Sequence, residues 1–208
     1  MLKKNRANSL ILKSMNFLAH IYLSGDSDEL KIGNFVGDFV KASDMEHYSE
    51  IINQGISMHW AIDDFTDHHP VVQDSKDRLR SKYGHYAGVI VDIYYDHFLA
   101  RNWGNYHHEN LRLFVDNIYE MLKSHKNILP EKVVRMLPFM IKHDWLYNYQ
   151  YFEGIQSVME GMAHRASFNS KMEESVVELK MNHREFEKEF EAFFPELQAF
   201  CTDFLTKK

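Results

Sequence analysis

The sequence predicts an all-α protein, a single-domain helical bundle, on three observations. The chain has 208 residues, of which 45% are hydrophobic and 14% aromatic, so one domain can bury a continuous core. Nine glycines and four prolines are few for this length, which favours helices with short connections over a β architecture with many turns. Apolar residues also recur at helical spacing along most of the chain.

Composition argues against nucleic-acid binding and a membrane span. The formal net charge is -6 and no basic tract dominates, so we expect no nucleic-acid partner. No apolar run reaches the roughly 18 residues of a transmembrane helix, and the run at 10–12 is too short for a signal peptide. The single cysteine, Cys201, lies near Phe200 and Phe204, which predicts a core position. A lone cysteine excludes an intramolecular disulfide and fits a cytoplasmic location.

The helical pattern begins at Met15, which could be the functional start codon. Residues 1–14 are expected to form a polar extension, and residues 15–208 a single domain. Pro130 fits the first turn of one helix, and Pro195 is expected to separate the last two helices. In order, the predicted helices cover 16–22, 28–40, 44–68, a charged segment after Pro70, 85–103, 109–125, 130–142, an aromatic stripe over 145–162, and two C-terminal segments.

Two glycines lie four residues apart in the second predicted helix. Gly33 and Gly37 each lower helix stability by about 1 kcal/mol relative to alanine. Glycine is favoured in a helix where another helix or a ligand comes too near to leave room for a β-carbon. We therefore predict a close approach at this face.

The central segment, residues 55–70, carries an imidazole and a carboxylate one turn apart. His59 and Asp63 share a helix face, with Thr66 and Asp67 one turn further along. This arrangement is typical of a metal site, and the alternative is a capped surface helix with an acidic run.

The same four-residue spacing of polar groups recurs in three other apolar segments. The pairs are Asn16 and His20, Asn34 and Asp38, and Asp92 and Asp96. Burying carboxylates from several helices together would cost several kcal/mol per ion without a positive partner. We therefore predict that one or two divalent cations lie among them.

Three further motifs have simpler interpretations. The pair His143 and Asp144 looks like an HD metal motif but lacks the paired spacing, so we expect a helix junction there. His164 and Arg165 could supply a phosphate ligand, although favourable charges at the end of a helix are the simpler explanation. A basic cluster after Pro70 is either a solvated helix face or a docking patch; its members are Lys76, Arg78, Arg80 and Lys82.

Five motifs together resemble one known family. In order they are MNFLAH, GNFVGDFVK, GISMHWAIDDFTDHHPVV, VDIYYDHFLARNW and GMAHRA. The chain is similar, over residues 15–205, to the acyl carrier protein phosphodiesterases, all-helical and rearranged relatives of HD-type metal-dependent phosphohydrolases. The resemblance implies manganese, with magnesium as an alternative, and removal of 4'-phosphopantetheine from holo acyl carrier protein. Residues 104–142 match only loosely.

The resemblance also implies site residues. The implied metal ligands are Asp38, His59, Asp63, Asp92 and Asp96. The implied catalytic residues are His20 and His97, as candidate proton donors, and Lys41 and Arg101, as contacts to phosphate oxygens.

The implied partner, holo acyl carrier protein, is acidic, so a basic docking face is expected. The first cluster is the Lys76–Lys82 segment, and the second contains Lys123, Lys126, Lys132, Arg135 and Lys142. Two alternatives remain open. One is a phosphohydrolase acting on a nucleotide or another small phosphodiester, and the other is a non-catalytic helical carrier-protein binder with a closed metal site.

Overall fold

The fold is all-α, as predicted. The computed structural model describes residues 16–166 and 168–207, which contain α-helices and short 3-10 helices but no β-strand. The predicted extension at 1–14 lies outside these residues. The helices are α1 (Phe17–Leu23), α2 (Asp28–Val36), α3 (Glu50–His68), α4 (Pro70–Tyr83), α5 (Ala87–Arg101), α6 (Leu111–Ser124), α7 (Glu131–Lys142), α8 (Trp145–Asn148), α9 (Phe152–Arg165), α10 (Ser175–Met181) and α11 (His183–Thr206).

Helix α5 is the centre of the bundle. Most of its side chains are buried, including Ile90, Tyr94 and Phe98, and it packs on α1, α4, α9 and α11. This burial on nearly all sides agrees with its almost uniformly apolar sequence. Polar residues of α5 must therefore find partners inside the protein.

Helices α2 and α3 lie against each other through glycines. A β-carbon built on Gly33 would come within 2.1 Å of the Ile52 carbonyl oxygen and 2.9 Å of Gly55 Cα. A β-carbon on Gly37 would come within 2.3 Å of the His59 ring. The predicted close approach at Gly33 and Gly37 is confirmed, and the second glycine makes room for a candidate ligand.

The prediction that Pro195 divides the C-terminal region is wrong. Helix α11 continues through Pro195, although proline removes one helical hydrogen bond at a cost of about 3 kcal/mol. Phe190 and Phe194 before it and Leu197 after it are all buried. Packing on both sides keeps the helix continuous.

The second predicted helix is also shorter than expected. Helix α2 ends at Val36, and Gly37–Phe39 forms a 3-10 turn that carries Asp38. Cys201 is buried, and burial raises the pKa of its thiol to about 12, which confirms a core residue. None of the described helices is both long and apolar enough to cross a membrane.

Candidate metal centre

Two buried histidines from different helices stack on each other. His20 of α1 and His59 of α3 have ring centroids 4.1 Å apart, with the rings inclined by 26°. Both side chains are almost completely buried. The ring of His59 lies against Gly37, so the α2–α3 contact determines its position.

Asn34 of α2 orients both rings. His20 Nδ1 donates to Asn34 Oδ1 at 2.6 Å, and His59 Nδ1 donates to the Asn34 backbone oxygen at 2.7 Å. The Asn34 amide is itself fixed, because its Nδ2 donates to the His20 carbonyl oxygen at 2.8 Å and to Ser24 Oγ at 3.0 Å. Since oxygen acceptors place the proton on Nδ1, both Nε2 atoms present lone pairs when neutral.

These Nε2 atoms face carboxylates. His20 Nε2 lies 3.4 Å from Asp63 Oδ1, and His59 Nε2 lies 3.3 Å from Asp38 Oδ1. A second Asp63 oxygen lies 3.5 Å from His59 Nε2. His20 Nε2, His59 Nε2 and Asp38 Oδ2 are buried without a hydrogen-bond partner. Lone pairs and carboxylates directed at one point need a proton or a cation between them.

A metal ion fits this geometry. In the part of the chain that the structure describes, His20, His59 and Asp63 each offer a ligand atom, and these atoms lie within 4.8 Å of one another. Nitrogen and oxygen ligands, with Nδ1 of each histidine fixed from behind by a carbonyl group, are typical of divalent metal sites. These three residues could therefore hold a metal ion.

The pKa values of Asp38 and His59 show how these side chains hold protons when no cation is present. Burial raises the pKa of Asp38, although the imidazole of His59, 3.3 Å from its Oδ1, opposes this. Burial lowers the pKa of His59, but the nearby carboxylates of Asp38 and Asp63 outweigh it, so the net pKa is raised. Without a cation, Asp38 and His59 therefore retain protons more readily than the same side chains in water.

Asp92 faces this centre from α5, across a small cavity. The cavity has a volume of about 190 Å³ and lies between α3 and α5. Its lining residues are Asp63, Thr66, Asp67, His85, Gly88, Val89 and Asp92. Burial raises the pKa of Asp92 well above its usual value, and the charge of Asp63 raises it further. Of the predicted ligands, Asp92 and Asp63 are the two that line this cavity.

Lys76 is buried, which neither interpretation of the first basic cluster, a solvated helix face or a docking patch, predicted. Its side chain is only 9% exposed, and Nζ donates to Asp67 Oδ1 at 2.8 Å. Its Cε atom would lie 3.6 Å from a β-carbon built on Gly88. Its positive charge lowers the pKa of Asp92, against the effect of burial. One feature of the sequence points to this contact, because Lys76 follows the acidic run of α3, which includes Asp67, across a short turn.

Both carboxylate oxygens of Asp96 are occupied at the start of α1. Its two carboxylate oxygens accept hydrogen bonds from the backbone N–H groups of Leu18, at 3.0 Å, and Ala19, at 2.8 Å. Asp96 therefore fixes the first turn of α1 to α5, and through it the position of His20. Although Asp92 and Asp96 are one turn apart, the second meets the start of a helix and not the two histidines.

His97 and Arg101 are also placed elsewhere. His97 Nδ1 donates to the Tyr149 carbonyl oxygen at 2.7 Å, and its ring stacks on Phe152 at 5.2 Å. Burial lowers the pKa of His97 to about 4, which makes it a poor proton donor at neutral pH. Arg101 is nine residues beyond Asp92, about 13 Å along α5, and lies over Phe152.

The remaining predicted residues lie at the surface or in a helix junction. Lys41 is exposed, three residues after Asp38. Asp144 has a left-handed backbone, with φ at 48°, precedes α8 and pairs with Arg112, so His143 and Asp144 form the junction that was expected.

The first basic cluster is neutralised by neighbouring acids. Arg78 pairs with Glu189, Arg80 lies 3.2 Å from Asp77, and Lys82 lies 2.8 Å from Glu178. These ion pairs, together with the burial of Lys76, argue against this segment as the docking face. In the second cluster, Lys123 and Arg135 also have acidic partners.

Comparison with known proteins shows the family of this chain. The family model for acyl carrier protein phosphodiesterase matches residues 15–197. A protein of that name from Photorhabdus laumondii is 31% identical over 182 residues, which are 87% of this chain and 92% of the relative. One from Salmonella agona is 30% identical over 186 residues, 89% of this chain and 96% of the relative. No solved structure matches. The chain belongs to the acyl carrier protein phosphodiesterase family.

Proposed function

We propose that this protein is a metal-dependent phosphodiesterase that hydrolyses the bond between the serine of holo acyl carrier protein and 4'-phosphopantetheine. Family membership, over nearly the whole chain, supports the reaction and the protein substrate. We expect it to act in the cytoplasm, with which its single buried cysteine is compatible.

One observation carries the metal-dependent part of the proposal. The Nε2 atoms of His20 and His59 are buried, lack hydrogen-bond partners and face the carboxylates of Asp38 and Asp63. Such an arrangement is unfavourable when left without a positive charge, and it is favourable around a divalent cation.

Asp38, His59, Asp63 and His20 are the proposed ligands, with Asp92 completing the site from α5. This changes the expected role of His20 from proton donor to ligand. Manganese is the proposed ion, and magnesium the alternative. When bound, such an ion supplies Lewis-acid activation of water and offsets charge on the phosphoryl oxygens.

The other residues of the site have supporting roles. Asn34 holds both imidazoles in the tautomer that presents Nε2. Lys76 fixes Asp67 at the edge of the cavity. Lys41 remains a candidate contact to phosphate oxygens, because it follows Asp38 closely and is exposed. In the reaction, the oxygen of a water molecule adds to phosphorus and the bond between phosphorus and the serine oxygen breaks. The serine oxygen takes up a proton that the water releases, and 4'-phosphopantetheine keeps the new hydroxyl oxygen.

The test uses an intact protein substrate. Purified protein is incubated with holo acyl carrier protein and Mn²⁺, with and without a chelator, and the carrier protein is weighed by mass spectrometry. We expect loss of the 4'-phosphopantetheine arm, and we expect the chelator or Asp63→Ala to abolish it. An unchanged carrier-protein mass in the presence of Mn²⁺ would contradict the proposal. Turnover of small phosphodiesters alone would favour a nucleotide-type phosphohydrolase.

A further inference from the structure

The small cavity between α3 and α5 is the space beside the metal centre. It shares Asp63 with the group formed by His20 and His59. Asp92 closes its opposite side from α5. A chemical group bound in this cavity would therefore be adjacent to the metal ligands.

The carboxylates around the cavity leave the negative charge of a phosphodiester without a donor. Three carboxylates line it, of which Asp63 belongs to the metal centre and Asp67 is paired with Lys76. The proposed ligands Asp38, Asp63 and Asp92 carry more negative charge than one divalent cation balances, so the additional negative charge of a phosphodiester would still need a donor. Of the described residues that line the cavity, His85 is the one whose side chain can carry a positive charge.

The position of His85 suits contact with a substrate. It lies in the short 3-10 helix Gly84–Tyr86, which joins α4 to α5. The turn depends on Gly84, whose φ of 55° is a conformation that other residues rarely adopt. The His85 ring packs on Tyr86, with centroids 4.0 Å apart, and the residue remains exposed. The imidazole is thus held at the edge of the cavity and is accessible from solvent.

The buried histidines cannot take this role, and one of them, His69, directs Nε2 at Glu196. His20 and His59 direct Nδ1 at Asn34 and Nε2 at carboxylates, so both ring nitrogens are committed. His97 lies in an aromatic environment against Phe152 and His183. A histidine with a free donor near the cavity is therefore needed from another segment, and the α4–α5 turn supplies it.

We propose that His85 is a substrate-contacting residue, whose imidazole donates a hydrogen bond to a phosphoryl oxygen of the phosphodiester bound between α3 and α5. The inference rests on the proposed function, because it takes the phosphodiester of that reaction as the ligand. It assigns the contact to a residue that the motifs of the sequence did not identify. Lys76 supports the site from behind by holding Asp67.

The test measures binding as well as turnover. Wild type, His85→Ala and His85→Arg are loaded with Mn²⁺, and binding of inorganic phosphate is measured by calorimetry alongside KM for holo acyl carrier protein. We expect His85→Ala to weaken phosphate binding and raise KM by about 10- to 100-fold, with Mn²⁺ affinity unchanged. Arginine keeps a donor and a positive charge, so His85→Arg should stay within about threefold of wild type.

His68→Ala is the matched control. His68 is exposed at the end of α3, and its Nδ1 bonds to the Asp64 carbonyl oxygen of its own helix. This variant should bind phosphate and Mn²⁺ as wild type does. Phosphate binding by His85→Ala equal to wild type would overturn the inference. So would a parallel loss of Mn²⁺ affinity, which would indicate a structural role.

The two proposals can fail separately. Wild type that leaves holo acyl carrier protein intact would contradict the proposed function, and the phosphate measurement on the same variants would still decide the role of His85. Conversely, normal turnover by His85→Ala, with unchanged KM and phosphate affinity, would leave the proposed function standing and overturn this inference alone.

Discussion

Two pairs of neighbouring histidines occupy opposite environments in this protein. In the first pair, His20 and His59 stack with their centroids 4.1 Å apart. In the second, His97 and His183 meet edge to face with their centroids 5.7 Å apart. All four residues have a buried Nε2 atom without a hydrogen-bond partner. The pairs would look alike if only residue type and the burial of the Nε2 atoms were considered.

The surroundings of Nε2 separate them. Carboxylates lie in front of the Nε2 atoms of the first pair, and their proximity raises the pKa of His59 despite burial. In the second pair His97 packs against Phe98 and Phe152, and the carboxylate of Glu187 lies 3.8 Å from Nδ1 of His183 and not in front of its Nε2. Burial lowers the pKa of His97 to about 4 and also lowers that of His183. The surroundings of the first pair therefore suit a cation, and those of the second do not.

The comparison predicts that loss of a carboxylate at the first pair abolishes turnover. Asp63→Ala removes a carboxylate that faces both His20 and His59, so we expect kcat to fall by about a thousandfold or more while helical content is retained. His183→Gln, in the second pair, should keep activity within a few-fold of wild type. Steady-state kinetics and circular dichroism on both variants provide the measurement, and near-normal turnover by Asp63→Ala would refute the assignment.

A second prediction displaces a ring of the first pair without removing it. Gly37→Ala places a β-carbon within 2.3 Å of the His59 ring, so the ring must move. We expect activity to fall by about a hundredfold and the free energy of unfolding by about 1–3 kcal/mol.

Gly161→Ala is the control for this displacement. It lies within α9, and a β-carbon there would meet nothing within 4 Å. Alanine should therefore preserve activity and leave stability equal or slightly higher, by up to about 1 kcal/mol. Equal activities for the two alanine variants would show that the α2–α3 contact does not position His59.

In the second pair, the buried His97 should make the free energy of unfolding depend on pH. His97 has a folded-state pKa of about 4, below the unfolded value of about 6.5. As pH falls through this window, the unfolded chain binds the proton first, so stability is lost on acidification. Between pH 7 and pH 5 this loss should be about 2 kcal/mol.

His97→Asn keeps a side-chain donor for the Tyr149 carbonyl oxygen and cannot titrate. Urea unfolding of wild type and His97→Asn at both pH values isolates the effect, because the other titrating groups are common to both proteins. A difference in stability between the two proteins that stays constant from pH 7 to pH 5 would contradict a neutral, buried His97.

The sequence predicted the helical fold and the shared helix face of His59 and Asp63. The four-residue spacing places His59 and Asp63 on one face, and local geometry suffices for that inference. Gly33 and Gly37, four residues apart, indicated a close contact that the structure confirms. These successes share one property, since each depends on periodicity within a single helix.

The failures depend on contacts between distant segments. Asp92 and Asp96 have identical spacing and apolar neighbours, but only the tertiary arrangement places Asp96 against the first turn of α1. Likewise, Lys76 has the local pattern of a surface lysine and is buried against Asp67. Pro195 has the local signal of a helix end, which core packing overrides. No local rule contains this information.

The smallest predicted effect compares the two carboxylates of α5. In chelator-treated protein at pH 7, Asp92→Asn should raise the free energy of unfolding by about 1 kcal/mol. Burial and the charge of Asp63 raise the pKa of Asp92, so its ionised form disfavours the folded state at neutral pH. The gain should shrink as pH falls and the carboxyl is protonated in both states.

Asp96→Asn should give a smaller gain than Asp92→Asn, or none. Burial raises the pKa of Asp96 to about 8, although the N–H groups of Leu18 and Ala19 oppose this. An amide relieves the cost of burial but offers only one acceptor oxygen to these two donors, which we expect to offset the gain by about 1 kcal/mol. Added Mn²⁺ should stabilise wild type and Asp96→Asn more than Asp92→Asn, because only the last loses a proposed ligand. Thermal unfolding of the three proteins, with and without Mn²⁺, measures both comparisons. Equal responses of Asp92→Asn and wild type to the ion would show that Asp92 faces the centre without contributing to it.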